Sequence, residues 1–121
     1  GTSNLLRVEV IGNLLLSGTG VTGRSVSGSV VVCRNEDEVL RLCSEGDVIV
    51  APYTTNKMLP ALKKAAGLIV EQGGMDSHAA TVAMALDIPA VINATNATQM
   101  LKSGMPVTID AARGTVCAAK K

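Results

Sequence analysis

His78 is the only histidine in the 121-residue chain, and it stands in Gly73-Gly74-Met75-Asp76-Ser77-His78-Ala79-Ala80, where an apolar run gives way to a helix-like segment. An imidazole titrates near neutrality and can accept a phosphoryl group. At a helix start it lies beside backbone N–H groups that have no partner within the helix. Gly73 and Gly74 would let those groups approach an anion closely, and the helix dipole favours negative charge there by ~0.3–1 kcal/mol. Gly73, Gly74 and His78 thus form a candidate anion pocket for phosphate or a phosphorylated metabolite. Asp76 repels an incoming phosphate, although its carboxylate could equally orient the ring or cap the helix. The plainer reading is a surface histidine packed at a helix end, so the flanking elements have to decide between the two.

Those elements alternate between strand and helix periods. Leu5 to Ile11, Leu14 to Leu16 and the Val-rich run Ser29 to Cys33 predict an initial β layer. Glu36 to Cys43 places Val39, Leu40 and Cys43 on one helical face, with acids in the first turn and Gly46-Asp47 as the stop. Val48 to Val50 reads as a buried strand. Asn56 to Ala66 reads as a helix, with Pro60 tolerated near its first turn and Gly67 as its end. Leu68 to Val70 is the next strand, and after the glycine pair Ala79, Val82, Ala83 and Leu86 match the i, i+3, i+4, i+7 template. Pro89 marks the exit into Ala90 to Ile92, which completes a β-α-β unit. A right-handed crossover of that kind sets the glycine–histidine loop at the carboxyl end of the first strand, where α/β sheets bind ligands. Thr95 to Lys102 predicts a short helix, and Val107 to Ile109 with Thr115 to Ala118 predicts a hairpin.

Composition narrows the function classes. At 47% apolar and 17% charged, the chain can bury one core, so a single domain is expected. With one tyrosine and no phenylalanine or tryptophan, that core must be aliphatic, and no aromatic platform exists for stacking bases. The net charge of +1 leaves no basic footprint for a phosphate backbone, which argues against nucleic acid as a partner. No apolar run approaches the ~20 residues a bilayer needs, and no signal-peptide pattern opens the chain, so neither membrane insertion nor export is expected. Cys33, Cys43 and Cys117 show no C-x-x-C spacing, and one histidine cannot complete a zinc set. Free thiols in a cytoplasmic protein without a metal are the economical expectation.

Gly18-Thr19-Gly20-Val21-Thr22-Gly23 is a literal G-x-G-x-x-G. A dinucleotide fingerprint would open a helix, whereas Arg24 to Val32 is rich in Ser, Val and Gly and reads as loop followed by strand. The preferred reading is a glycine-rich turn between strands.

Taken together, Gly73-Gly74-Met75-x-Ser77-His78-Ala79-Ala80, Ile88-Pro89-Ala90-Val91 and the Gly-x-x-Val-Thr-Ile-Asp stretch at Gly104 to Asp110 resemble the mobile, phosphohistidine or swivelling, domain of phosphoenolpyruvate-utilising enzymes. Asn96-Ala97-Thr98 and Asp110-Ala111-Ala112-Arg113-Gly114 look most like the extra C-terminal domain of bacterial pyruvate kinases, and Thr2 to Ile11 is similar to the strand before it. The resemblance spans essentially the whole chain. It implies an α/β, swivelling β/β/α fold over residues 12–121, with residues 1–11 as the end strand of a preceding domain or a linker. It further implies that His78 matches a phosphoryl-accepting histidine, with Gly73, Gly74 and Ser77 as the phosphate cradle. The chain would then be a piece of a longer pyruvate kinase, working with the rest of that chain, as a homo-oligomer such as a tetramer, with Mg and K in the full enzyme and no cofactor in this domain.

Three positions depart from the family pattern. Asp76 replaces a threonine, Met84 replaces an arginine, and Asp87 replaces a glycine. An added acid and a lost base lower affinity for a dianion by about 1–3 kcal/mol if the site is partly desolvated. The expected role is therefore a non-catalytic accessory module that binds phosphate or regulates, with no turnover of its own. The alternative is an active phosphohistidine carrier, as in phosphoenolpyruvate synthase or pyruvate phosphate dikinase.

Overall fold

The computed structural model describes residues 13–119. The strand expected over Leu5 to Ile11, and with it the proposed boundary of residues 1–11, lies outside the described residues. In chain order the elements are β1 (Leu14–Ser17), β2 (Thr19–Val21), β3 (Ser25–Val32), α1 (Glu36–Leu42), β4 (Val48–Ala51), α2 (Leu59–Leu62), β5 (Gly67–Val70), α3 (His78–Leu86), β6 (Ala90–Ile92), α4 (Ala97–Met100), β7 (Pro106–Asp110) and β8 (Thr115–Ala118). A 3-10 turn at Asn56–Met58 leads into α2.

Period-two alternation explains the layering. On β4, Ile49 and Ala51 face the helices, whereas Val48 and Val50 face the opposite way. Leu68 and Val70 alternate with Ile69 on β5 in the same manner, and Ala90 and Ile92 with Val91 on β6. All of these side chains are fully buried, as expected of parallel strands covered on both faces. One core lies between β4–β6 and helices α1–α3; a second, built on Val48, Val50, Ile69 and Val91, is filled from the other side by Leu16, Val107, Ile109 and Val116. The result is helix on sheet on sheet, in an α/β domain with an aliphatic core.

The strand order is β1-β8-β7-β3-β4-β5-β6-β2. β3, β4, β5 and β6 run parallel to one another, whereas the β3–β7, β7–β8, β8–β1 and β6–β2 pairings are antiparallel. β3 begins at Ser25, four residues before the expected Ser29, and serves both halves. Its first five residues, Ser25 to Ser29, pair with β7, and Val30 to Val32 pair with β4. Serine is a modest strand former, but here Ser27 and Thr108 hydroxyls pair across the strands at 2.8 Å.

The outermost strands of this order, β1 and β2, are consecutive in the chain with only Gly18 between them, so the sheet closes on itself. That closure accounts for the G-x-G-x-x-G string. Gly18 N–H donates to the Gly114 carbonyl at 2.8 Å, and a Cβ at Gly20 would stand 1.7 Å from the Ala111 carbonyl oxygen. Thr22 and Gly23, both at positive φ, turn the chain from β2 into β3. The motif is therefore partly strand and partly turn, and no helix follows it.

Two helix expectations need correction. The segment Asn56 to Ala66 is a 3-10 turn plus the four-residue α2, because Pro60 supplies no N–H and the chain tightens into 3-10-type bonds, Lys64 N–H to Ala61 and Ala65 N–H to Leu62. Gly67 is the first residue of β5 and not a helix stop. A Cβ there would meet Ile109 Cδ1 at 2.7 Å and Val26 Cγ1 at 3.1 Å, so the small residue is required by packing between the sheet layers. The helix expected over Thr95 to Lys102 is shortened to α4. There the partly buried Glu71 carboxylate accepts from Thr98 N–H and Thr98 Oγ1 at 2.7 and 2.6 Å. By contrast α1 starts as expected, although it ends at Leu42 and leaves Leu40 exposed rather than beside Val39 in the core: Asn35 Oδ1 accepts from Glu38 N–H, and Glu38 Oε1 accepts in return from Arg34 N–H.

Candidate functional site

β5, α3 and β6 form the anticipated parallel β-α-β unit. The loop from Glu71 to Ser77 joins the carboxyl end of β5 to the amino end of α3. Gly73 adopts φ +114°, a conformation that side chains avoid, and a Cβ on it would fall 2.8 Å from Ser77 Oγ. Ser77, not Asp76, caps the helix: its extended backbone starts α3 and its Oγ accepts from Ala80 N–H at 3.2 Å. His78 is the first residue of α3 and half-buried.

Both ring nitrogens are engaged. His78 Nδ1 lies 2.7 Å from Thr54 Oγ1, and Nε2 lies 2.8 Å from Asn56 Oδ1. Thr54 and Asn56 belong to the segment leaving β4, the parallel neighbour of β5, so the ring bridges two adjacent strand ends. Thr54 is the one buried polar residue among the described residues. Beside the ring opens a pocket of about 200 Å³ lined by Tyr53, Thr54, Val70, Gln72, Gly73, Ser77, His78 and Ala79. No lysine or arginine lines it, so an anion there would be held by backbone and neutral side-chain donors.

The candidate residues divide accordingly. Gly73, Ser77 and His78 share the pocket wall, whereas Gly74 is exposed and outside it, holding the loop through its carbonyl, which accepts from Ser77 N–H at 3.0 Å. Asp76 is exposed, and its carboxylate makes no hydrogen bond among the described residues, so it neither caps α3 nor holds the imidazole. Met84 is exposed and does not line the pocket. Asp87 closes the far end of α3, about 13 Å away at the rise of an α-helix, where it adopts a left-handed conformation (φ +58°) and pairs with Arg24. A glycine would suit that left-handed cap, and at that distance the charge is largely screened from the pocket. Of the three departures, only Asp76 sits close enough to act on an anion.

Asp76→Thr and Asp76→Asn are therefore expected to tighten phosphate binding several-fold, more at low salt, while changing stability by less than about 0.5 kcal/mol. Isothermal titration at two ionic strengths, with a melting curve for each variant, checks this. Equal affinity in all three proteins would remove Asp76 from the site.

Tyr53, Thr54, Asn56 and Gln72 escape a reading that follows one motif. A signal was present, since they follow directly on the apolar runs of β4 and β5, at the carboxyl ends where parallel sheets gather ligands. Among the described residues no cluster of His, Cys, Asp or Glu could hold a metal, and no helix is long and apolar enough to cross a membrane.

The domain is a closed β/β/α structure that presents its one histidine at a helix start, over a glycine turn. The chain belongs to the family of the mobile domain of PEP-utilising enzymes, whose model matches residues 43–114. It is 42% identical over 116 residues to a pyruvate kinase from Bacillus licheniformis, a match covering 96% of this chain and 20% of that protein. To a probable phosphoenolpyruvate synthase from Archaeoglobus fulgidus it is 43% identical over 108 residues, covering 89% of this chain and 14% of that protein. The chain thus spans about a fifth or less of the length of these curated relatives. An Enzyme I protein solved by NMR superposes with a TM-score of 0.57 at 31% identity, over 68% of this chain and 34% of that one. Holo aconitase X of Thermococcus kodakaraensis superposes at 0.66 with 25% identity, over 87% of this chain and 98% of that one.

Proposed function

We propose that the chain is the C-terminal extra domain of a pyruvate kinase, acting as a non-catalytic accessory module that binds phosphate or a phosphorylated metabolite at the His78 pocket. The observation that carries this reading is the reach of the match. Similarity to pyruvate kinase extends over 96% of the chain, beyond the 89% shared with the synthase, although the identities, 42% and 43%, hardly differ. The site also supports it. A histidine whose ring nitrogens are both hydrogen-bonded, over a pocket without cations, is built to recognise an anion weakly rather than to turn over a substrate. Full-length chemistry on phosphoenolpyruvate and ADP, with Mg and K, would belong to the remainder of such an enzyme, as would its assembly into a homo-oligomer.

The second reading, an active phosphohistidine carrier, draws on the 43% identity to a probable phosphoenolpyruvate synthase and on the position of His78 at the head of α3. The carrier would need His78 to expose a nitrogen lone pair.

Titration of the 121-residue chain with phosphate, followed by amide NMR, tests the accessory reading. The amides of Gly74 to Ala79 are expected to move with a dissociation constant in the millimolar range, ~4 kcal/mol, because helix-start N–H groups act without a side-chain cation. Amides that stay in place at tens of millimolar phosphate would defeat the cradle.

A further inference from the structure

The Asn56 carboxamide is the one ring partner of His78 that serves neither the helix cap nor the pocket wall. Its Oδ1 has no proton to give, so at 2.8 Å it must accept Nε2–H. In the neutral ring this is the Nε2-protonated tautomer, whose Nδ1 lone pair is occupied by the Thr54 hydroxyl at 2.7 Å. Neither nitrogen can attack phosphorus in this arrangement. Turning the carboxamide over changes the donor but not the outcome, since an Nδ2–H aimed at Nε2 would occupy the lone pair instead. Thr54 differs in kind. A hydroxyl both donates and accepts, so it can hold Nδ1 in either tautomer.

We propose that Asn56 is a latch on His78, which keeps the histidine from accepting a phosphoryl group until the carboxamide withdraws. The proposal rests on the second reading, in which His78 can accept a phosphoryl group, and not on the phosphate cradle. Release requires the Asn56 side chain to move away and the ring proton to pass from Nε2 to Nδ1, where Thr54 Oγ1 turns from donor to acceptor. The bared Nε2 lone pair then forms the N–P bond, and the bond from phosphorus to the donor's leaving group breaks with its electron pair going to that group. Asn56 is thus a positioning residue acting through the ring, with no contact to the phosphoryl group in either state.

Phosphoramidate tests this without any enzyme. In that reagent the P–N bond breaks as Nε2–P forms, and the nitrogen leaves with the electron pair as ammonia, which takes up the proton released from the ring. With one histidine in the chain, phosphohistidine formation followed by phosphorus NMR reports one site. The folded wild-type chain is expected to react at least tenfold more slowly than the same chain in urea. Asn56→Ala should recover at least tenfold, whereas Asn56→Asp, which keeps an acceptor at the same place, should remain as slow as wild type. Nitrogen NMR of the imidazole should show Nε2–H in wild type and a mixture of tautomers in Asn56→Ala. A packing role alone would leave that ratio unmoved. If Asn56→Ala does not fold, Asn56→Ser replaces it.

The latch is overturned if folded wild type reacts as fast as the unfolded chain, or if a folded Asn56→Ala reacts at the wild-type rate. Failure of the phosphate cradle would show differently: amides that ignore phosphate, together with a tenfold release by Asn56→Ala, would remove the cradle and leave the latch.

Discussion

Gly20→Ala is expected to destabilise the domain by at least about 3 kcal/mol, read as a fall in the urea midpoint. The new Cβ would stand 1.7 Å from the Ala111 carbonyl oxygen, 2.6 Å from the Ala111 carbonyl carbon and 3.1 Å from Gly114 N. All three are backbone atoms, which cannot rotate away as the end of a long side chain can. Gly20 itself is held by pairing opposite Val91 in β6. Relief therefore requires separating β2 from the β7–β8 turn at the place where the sheet closes, and overpacking of this severity exceeds the usual 1–3 kcal/mol. For a domain whose whole stability is of order 5–15 kcal/mol, the fold itself is at stake. Gly23→Ala in the same motif is the internal control. Its Cβ would meet nothing within 4 Å, so only the positive φ of +75° is penalised, at roughly 1 kcal/mol. Equal midpoints for the two variants would refute closure as the reason for the glycine string.

Cys33 is expected to resist thiol reagents and to make the protein less stable in alkali. Burial, reinforced by Cys43, Glu38 and Asp47, raises its pKa from 9.0 to about 11, and the side chain is fully buried between β3 and α1. A shift of that size leaves about 100-fold less thiolate near neutrality than an ordinary thiol would carry, and the thiolate is the nucleophile. In a Cys43→Ala, Cys117→Ala background, which keeps the burial that is the main cause of the shift, labelling at pH 8 should still proceed at least about tenfold more slowly folded than in urea. Labelling at equal rates would refute the shift. The stability effect has a definite sign. Below pH 9 both states carry the neutral thiol. Between about 9 and about 11 the unfolded chain gives up its proton while the folded one keeps it, so stability falls as pH rises, by about 2–3 kcal/mol in all. Cys33→Ala should flatten that decline, and an unchanged alkaline limb would assign it elsewhere.

Much of the fold was legible because it rests on short-range periodicity. The apolar triplets at 48–50, 68–70 and 90–92 are β4, β5 and β6, and the spacing of Ala79, Val82 and Ala83 is the buried face of α3. Local chemistry also placed Ser77, Gly73 and His78 at one helix start. What misled was equally local. Pro60 and Gly67 read locally as marks within and after one helix, yet Gly67 is small because Val26 and Ile109, far away in sequence, press on it. The early start of β3 was hidden by serines whose partner, Thr108, lies 81 residues on.

By itself, then, the sequence determined a β-α-β unit that carries its lone histidine on the first turn of a helix, within an aliphatic α/β core. Those features depend on residues within one or two turns of each other, and steric and hydrogen-bonding preferences act at that range. Only the tertiary structure decided what the histidine meets. Thr54 and Asn56 precede it by 24 and 22 residues, and they reach its ring because β4 and β5 are parallel neighbours whose ends are set by strand register. No pattern along the chain encodes that meeting, since the distance between two strand ends is fixed by pairing and twist across the sheet rather than by the residues between them.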